Sequence, residues 1–465
     1  MNNRPEKNKF YTMQIDDLSK YGGGVGRIDG FTVFVENTLP QETVYIKILS
    51  VSKSYAYGKL VTIISPSPDR ITPQCQYAAR CGGCVLQHFA YDAELRQKQK
   101  LVRDAFERIG GFRNIDSCMG DIIGMDADCL DHSRNKAQFP VCRNFNANNG
   151  NTVEIGFYAQ SSHRVIDIST CPISNRANEE ILAVCREFIT QNKIEPYNEI
   201  THSGLVRHIF TRVGFSTGEI MVCVVINGKT LPYSERLIDK LKKIKGMTGI
   251  VLNINTERTN VILGKKIISL WGRDYIYDYI DDIKFKISPL SFFQVNPTQM
   301  KVLYKRALDM ANPADNQICI DAYCGIGSIS LYFAKHMKKI YGIEIIPDAV
   351  SDARENAELN GIVNAEFILG KSEEKISELI HEDNIVPNLI VVDPPRKGCD
   401  VKLLDAVLEK KIEKIIYISC DPATLARDVK HLCANGCYKI EKIQAVDMFP
   451  RTMHVETVVL LSIHP

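Results

Sequence analysis

The stretch Lys414 to Leu425, KIIYISCDPATL, constrains the fold more than any other part of the chain. An unbroken apolar and β-branched run marks a strand buried on both faces, as in parallel sheets covered by helices. The run stops at Ser419-Cys420-Asp421-Pro422. It therefore delivers a thiol to a C-terminal strand tip, the edge at which open α/β sheets bind ligands. From about residue 285 strands and helices alternate regularly, which predicts an α/β fold with a parallel, doubly wound sheet over 286–465.

Upstream of the thiol, QICID (Gln317 to Asp321) reads as an apolar strand that runs into Ala322-Tyr323-Cys324-Gly325-Ile326-Gly327-Ser328. Two glycines there permit close backbone approach to a ligand before the next helix. The following strand, KIYGIEII, carries Glu344, 23 residues beyond Asp321. An acid at that offset suits two adjacent ribose hydroxyls, so the ensemble reads as a nucleoside site. It is not a full dinucleotide fingerprint and has no P-loop lysine, which favours S-adenosylmethionine (SAM) over NAD or ATP. LIVVDPPRKG brings Asp393 to the end of a fourth strand at the same cleft, unless that residue is only a turn cap.

Arg396 stands where an aromatic residue after Asp-Pro-Pro would favour amino-group methylation, and the loop has no Pro-Cys step of the cytosine C5 type. Cys399 reads as packing. KIIYISC serves as the fifth strand, YKIEKIQAVDMF as the sixth and VETVVLLSI as an antiparallel seventh beside the fifth. Because an antiparallel strand begins at the edge where its parallel neighbours finish, Glu456 is expected near Cys420. That pair suits one chemistry in particular. Thiolate addition to C6 of uracil makes C5 nucleophilic, and a carboxylate then removes the C5 proton. The base must leave its stack to meet the thiol.

Residues 1–65 read as a small OB-like β-barrel, with strand-like pieces separated by turns such as Tyr21-Gly22-Gly23-Gly24-Val25-Gly26. Lys7, Lys9, Arg27, Lys47, Lys53 and Lys59 accompany Tyr55 and Tyr57, a mixture suited either to phosphate and base contacts or to a solvated surface. Residues 66–285 follow as an α+β region. It opens with Ser65-Pro66-Ser67-Pro68 and CQYAARCGGCVLQH, in which Cys75, Cys81 and Cys84 lie within ten residues, and Cys171-Pro172 supplies a fourth thiol. These four fit a structural zinc, a [4Fe-4S] cluster or plain buried thiols; the uneven spacing and the distant Cys-Pro lean towards the cluster. Tyr91 to Ile109 has helical spacing, with Arg96, Lys98, Lys100, Arg103 and Arg108 on a polar, solvated side. In HSRNKAQFPV, Arg134 and Lys136 read either as phosphate ligands or as exposed cations on a strand.

A length of 465 residues implies two to four folding units, and the net charge of +2 neither favours nor excludes nucleic acid. No window approaches the roughly 18 consecutive apolar residues of a membrane helix, and the start MNNRPEKNKF is polar, so a cytoplasmic protein is expected. Fifteen cysteines in such a compartment point to metal or catalytic use for some and burial for most.

FFQVNP (Gln294, Asn296), DAYCGIG, DPPRKG, SCDPATLARD and FPRTMHVETVVLL resemble the successive motifs of the RNA uracil-C5 methyltransferases. The first 65 residues resemble the TRAM RNA-binding domain, apart from Gln41 where glycine is usual. Over the whole chain the resemblance is closest to the 23S ribosomal RNA enzymes of Gram-positive type. It implies Cys420 as nucleophile, Glu456 as base, and Gln294, Tyr323, Glu344 and Asp393 in the SAM pocket. It also implies Cys75, Cys81, Cys84 and Cys171 as [4Fe-4S] ligands, 23S rRNA as partner, and a monomer without a protein partner. Asp421 stands where many relatives have asparagine, and a carboxylate there is expected to raise the pKa of the neighbouring thiol. The alternatives are a tRNA uracil-C5 methyltransferase, of which the single-domain type lacks barrel and cluster, and a non-catalytic RNA-binding or redox-sensing protein.

Overall fold

The computed structural model describes residues 4–144, 152–381 and 385–464. Met1 to Asn3, in the polar start noted above, lie outside the described residues. The chain begins with a closed five-stranded barrel made of β1 (Phe10–Leu18), β2 (Gly24–Ile28), β3 (Phe31–Val35), β4 (Thr43–Val51) and β5 (Tyr55–Ser65), in the order β1-β2-β3-β5-β4. Alternation builds it: Met13, Ile15, Val33, Val35, Val44, Ile46 and Ile48 point inward, and their neighbours face solvent. Gln41 has φ 72°, the left-handed conformation for which glycine is the natural residue. The sequence departure at this position therefore leaves the turn itself intact.

Helix α1 (Tyr91–Ala105) follows the cysteine segment. Its predicted solvated basic face holds except at Lys98, which is fully buried. The ammonium donates to Glu94 Oε1 and Asp447 Oδ1, both at 2.7 Å, and to the carbonyl of Phe449 at 3.1 Å. Lys98 falls on the buried stripe of α1 with Glu94, Val102 and Ala105, and its polar partner there is protein from the far end of the chain.

The middle of the chain forms a seven-stranded sheet from β6 (Lys136–Asn144), β7 (Thr152–Tyr158), β8 (Val165–Asp167), β9 (Val206–Val213), β10 (Ile220–Ile226), β11 (Met247–Ile254) and β12 (Lys266–Gly272). Helices α2 (Ala177–Gln191) and α3 (Ser234–Leu241) cover one face, burying residues such as Phe139, Ile181, Phe188, Val222 and Leu252 between them. The hairpin β13 (Ile276–Ile280) and β14 (Ile283–Ile287) leads into the last unit.

That unit alternates α4 (Pro297–Ala311), β15 (Ile318–Asp321), α5 (Ser328–Ala334), β16 (Lys339–Glu344), α6 (Pro347–Leu359), β17 (Ala365–Leu369), α7 (Ser372–His381), β18 (Leu389–Val392), α8 (Val401–Lys410), β19 (Lys414–Ser419) and α9 (Pro422–Cys433). β20 (Tyr438–Val446) and β21 (Glu456–Ile463) complete a seven-stranded sheet in the order β17-β16-β15-β18-β19-β21-β20. The first five strands are parallel and β21 slots antiparallel between β19 and β20, as the sequence predicts. Each face of this sheet packs a separate apolar layer, one including Leu303, Leu331 and Val350, the other Phe106, Leu403 and Leu425. Burial on both faces explains why the strands read as unbroken apolar runs.

Candidate active site

The sheet brings the site residues to one edge. Asp321 and Glu344 end β15 and β16, Asp393 follows β18, Cys420 follows β19, and Glu456 opens β21. β19 pairs with β21 in unbroken antiparallel register from Lys414 opposite Ser462 to Ser419 opposite Thr457. Cys420 follows directly on Ser419 and Glu456 precedes Thr457, so both stand at the end of this ladder, and the Glu456 carboxylate acts on the Cys420 thiol through space.

Local sequence fixes the turn that holds the thiol. Pro422 occupies the first turn of α9, where its missing N–H leaves no bond unmade. Asp421 caps the helix, its Oδ1 accepting from the amides of Ala423 at 2.9 Å and Thr424 at 3.2 Å. The carboxylate expected to perturb the thiol is thus turned to the helix N-terminus. Burial, Glu456 and Asp393 are what push the Cys420 thiol up, to about 11, against the lowering influence of Arg396.

Arg396 is the cation that acts on the Cys420 thiol most, and in the sequence it stood out only as the residue replacing an aromatic. Its loop is pinned from α9: Thr424 Oγ1 donates to the Arg396 carbonyl at 3.2 Å and Arg427 Nη2 to the Lys397 carbonyl at 2.9 Å. Asp428 Oδ2 accepts from the Cys399 amide at 2.9 Å and from the Tyr417 hydroxyl at 2.6 Å. Cys399 is buried packing, as expected.

Three carboxylates crowd the sheet edge behind the thiol. Glu456 is buried with one oxygen unpartnered among the described residues, and burial and Asp393 hold its pKa far above the usual carboxylate range. Asp393 is raised to about 7 by burial and by Asp321. Asp321 is raised to about 6 by burial, although Ser330 donates to its Oδ2 at 2.6 Å. Such clusters of displaced carboxyl groups are typical of functional clefts.

Of the remaining predicted residues, Glu344 and Tyr323 stand at the ends of β16 and β15, at the same sheet edge. Glu344 accepts from the Gly325 amide at 3.1 Å and the Ile346 amide at 2.9 Å, placing it against the glycine loop. Gly325 and Gly327 have φ of 54° and 84°, so the loop depends on residues without a Cβ. Tyr323 is half-buried beside the Cys399 thiol. Gln294 lies buried in the loop before α4, held through its carbonyl by Asn135 Nδ2 at 3.0 Å. Asn296 is a structural residue: its Oδ1 caps α4 and its Nδ2 donates to the Met448 carbonyl at 3.1 Å.

His454 also lines the cavity at the thiol, and sequence reading passed over it. The only signal was its place in FPRTMHVETV, two residues before Glu456. Its loop is the one anchored by Lys98, whose partner Asp447 also accepts from the Tyr91 hydroxyl at 2.8 Å.

Cys75, Cys81, Cys84 and Cys171 gather at one place away from this edge. The Cys171-Pro172-Ile173 segment is bonded to the strand leading into β6, with the His132 amide donating to Pro172 O and the Arg134 amide to Ile173 O. Cys171 raises the pKa of each of the other three thiols, and burial lifts Cys84 furthest, to about 12. Among the described residues, no group of three or more His, Cys, Asp or Glu is arranged to hold a metal ion. Four neighbouring thiols are a donor set that zinc or an iron–sulfur cluster accepts, yet they are not closed around one ion position. Arg134 lies within electrostatic reach of Cys84, whereas Lys136 is largely buried opposite Arg212 on β9, so exposed cations do not describe this strand.

With this geometry the comparisons agree. Residues 125–464 match the tRNA (Uracil-5-)-methyltransferase family and residues 6–61 the TRAM domain. The chain belongs to the tRNA (uracil-5-)-methyltransferase family. Relatives include uncharacterized RNA methyltransferases of Clostridium tetani (44% identical, covering 98% of this chain and 97% of theirs) and Clostridium acetobutylicum (45%, covering 98% of each). Among solved structures, the Pyrococcus abyssi tRNA (uracil-54, C5)-methyltransferase in complex with S-adenosyl-L-homocysteine superposes with a TM-score of 0.76. It is 27% identical, over 97% of this chain and 99% of that one. Membership makes this chain an RNA methyltransferase. Among the described residues no helix is long and apolar enough to cross a membrane.

Proposed function

We propose that the protein methylates C5 of uridine in 23S ribosomal RNA, in the cytoplasm, with SAM as donor and Cys420 as transient covalent catalyst. The observation that supports this reading is that Cys420 and Glu456 stand at the same end of the β19–β21 ladder, close enough for the carboxylate to act on the thiol. Gln294, Tyr323, Glu344 and Asp393 would hold the cofactor, which supplies an electrophilic methyl group. Glu344 beside the glycine loop suits ribose hydroxyls.

The thiolate of Cys420 adds to C6, and the electron pair displaced onto C5 takes the methyl group as its bond to the sulfonium breaks and S-adenosylhomocysteine leaves. The C5 proton then passes to the Glu456 carboxylate, the C6–S bond breaks, and the double bond and the thiolate are restored. Arg396 beside the sulfur favours the thiolate during addition. A Glu456 carboxylate of raised pKa is the stronger proton acceptor once ionised.

Cys75, Cys81, Cys84 and Cys171 would hold a [4Fe-4S] cluster, with an architectural role in tying the Cys171 segment to the linker. Equal iron and acid-labile sulfide in anaerobically purified protein, lost in Cys171→Ala, is the expected result.

A tRNA substrate is the second reading, favoured by the archaeal tRNA enzyme that matches this chain along almost its whole length, barrel included. A barrel therefore does not by itself exclude tRNA. A non-catalytic binder is disfavoured because thiol and carboxylate are both retained at the same end of the ladder. Mapping 5-methyluridine in large-subunit ribosomal RNA and in transfer RNA, from cells with and without the gene, tests the assignment. Loss from ribosomal RNA alone is expected.

A further inference from the structure

The turn between β1 and β2 of the barrel reaches the catalytic edge. The Ser19 amide donates to the Gly23 carbonyl at 2.8 Å and the Gly22 amide to the Ser19 carbonyl at 2.9 Å, which closes the turn tightly. Gly22 has φ +86°, and a Cβ there would fall 2.6 Å from Val85 Cγ2 and 3.4 Å from Met453 Cγ. The turn is thus pressed onto the loop that carries His454. Leu18, Leu39, Leu86, Phe89, Ala93 and Met453 form one apolar cluster across this junction. Asp17 adds polar ties to α1, accepting from Lys100 Nζ at 2.6 Å and Gln97 Nε2 at 2.8 Å.

This docking gives Tyr21 a fixed and unusual place. Its side chain is among the most exposed large apolar groups, at 72%, and the Lys20 ammonium lies 5.1 Å from its ring centroid. A cavity of about 460 Å³ is lined by Lys20 and Tyr21 together with Arg396 and Cys420. A second cavity, of about 1330 Å³, shares Lys20 and Tyr21 and continues along the barrel past Phe34, Tyr57 and Lys59. Tyr57 and Phe34 lie 5.8 Å apart in an aromatic group with Tyr55. A groove that alternates cations with aromatic faces suits a single strand of nucleic acid, its phosphates on the former and its bases on the latter.

We infer that Tyr21 is a positioning residue of the methyl-transfer site, stacking on the RNA base next to the everted uracil while Lys20 meets the adjoining phosphate. Eversion of the target leaves its neighbour without a stacking partner. An exposed ring lining the same cavity as the thiol replaces that partner. The barrel then contributes to the chemical step itself, beyond tethering RNA. This inference rests on the RNA uracil-C5 reading given above.

The test measures single-turnover transfer of labelled methyl from SAM to RNA isolated from cells lacking the gene, using the full chain. At saturating RNA, Tyr21→Ala should transfer about tenfold more slowly, in keeping with the loss of one base–aromatic stack. Tyr21→Phe should stay near wild type, because the ring and not the hydroxyl acts. SAM affinity and melting temperature should be unchanged in both, since the side chain is exposed. Tyr21→Ala transferring at the wild-type rate overturns the inference alone, as does a change confined to the RNA concentration for half-saturation, which would make the barrel only a tether. If the wild type transfers no label, this inference and the reading beneath it fall together.

Discussion

The Asp421 carboxylate accepts the amide proton of Thr424 at 3.2 Å, and so serves the start of α9 in preference to the thiol beside it. Asparagine caps a helix about as well as aspartate, whereas alanine does not. Asp421→Asn should therefore leave stability within a few tenths of a kcal/mol of wild type, and Asp421→Ala should lose about 1 kcal/mol in urea denaturation. Iodoacetamide should alkylate Cys420 in Asp421→Asn within about twofold of the wild-type rate, because Glu456, Asp393 and Arg396 are the charges that chiefly set its pKa. A tenfold acceleration would return the carboxylate to the thiol's surroundings.

Arg396 opposes two acids at Cys420. Removing a cation favours the neutral thiol, which burial, Glu456 and Asp393 already push up, so Arg396→Gln should move the alkylation midpoint above that of the wild type. At pH 8 the alkylation rate should fall severalfold. A rate equal to wild type across the pH series would show that the guanidinium does not act on the sulfur.

Asp393 carries the sign of a residue kept for function at the expense of stability. Its folded pKa of about 7 exceeds its unfolded value, so the folded protein binds the extra proton between about pH 4 and 7. Stability from this group is full below the unfolded pKa and is lost as pH rises through the folded one. Asp393→Asn, without cofactor, should melt with the wild type at pH 4 and about 5 °C above it at pH 8. A constant difference across that range would mean the carboxyl is not displaced. The variant should also lose methyl transfer.

Lys98 lies between Glu94 and Asp447, and all three side chains are fully buried. Lys98→Met strands two carboxylates without a counter-ion, a change expected to remove about 3–5 kcal/mol. Thermal or urea denaturation measures it. A loss below about 1 kcal/mol would show that the triad does not hold the loop of His454.

Much of the site was legible because strand period and strand order depend on local pattern. The apolar runs of β15, β18 and β19 gave the parallel sheet, and the antiparallel place of β21 followed from the arrangement common to such sheets, which brings Glu456 within electrostatic reach of Cys420, 36 positions away in sequence. Asp421 misled because one carboxylate serves equally as a neighbour of a thiol or a helix cap, and only the turn geometry decides. Lys98 misled because a lysine reads as solvent-facing, although its i±4 neighbours Glu94 and Val102 share the buried stripe that a loop from the other end of the chain covers. Tyr21 gave no signal, since its value lies in the docking of the barrel against Met453.

The central claim is that Cys420 bonds to the pyrimidine ring. RNA from gene-deleted cells grown with 5-fluorouracil carries a C5 substituent that Glu456 cannot remove, so the adduct should be trapped once the methyl group has transferred. With SAM, the wild type should form a protein–RNA complex that survives a denaturing gel, and Cys420→Ala should form none. A complex of equal yield in Cys420→Ala, or no complex with a wild type that still methylates ordinary RNA, would contradict the account.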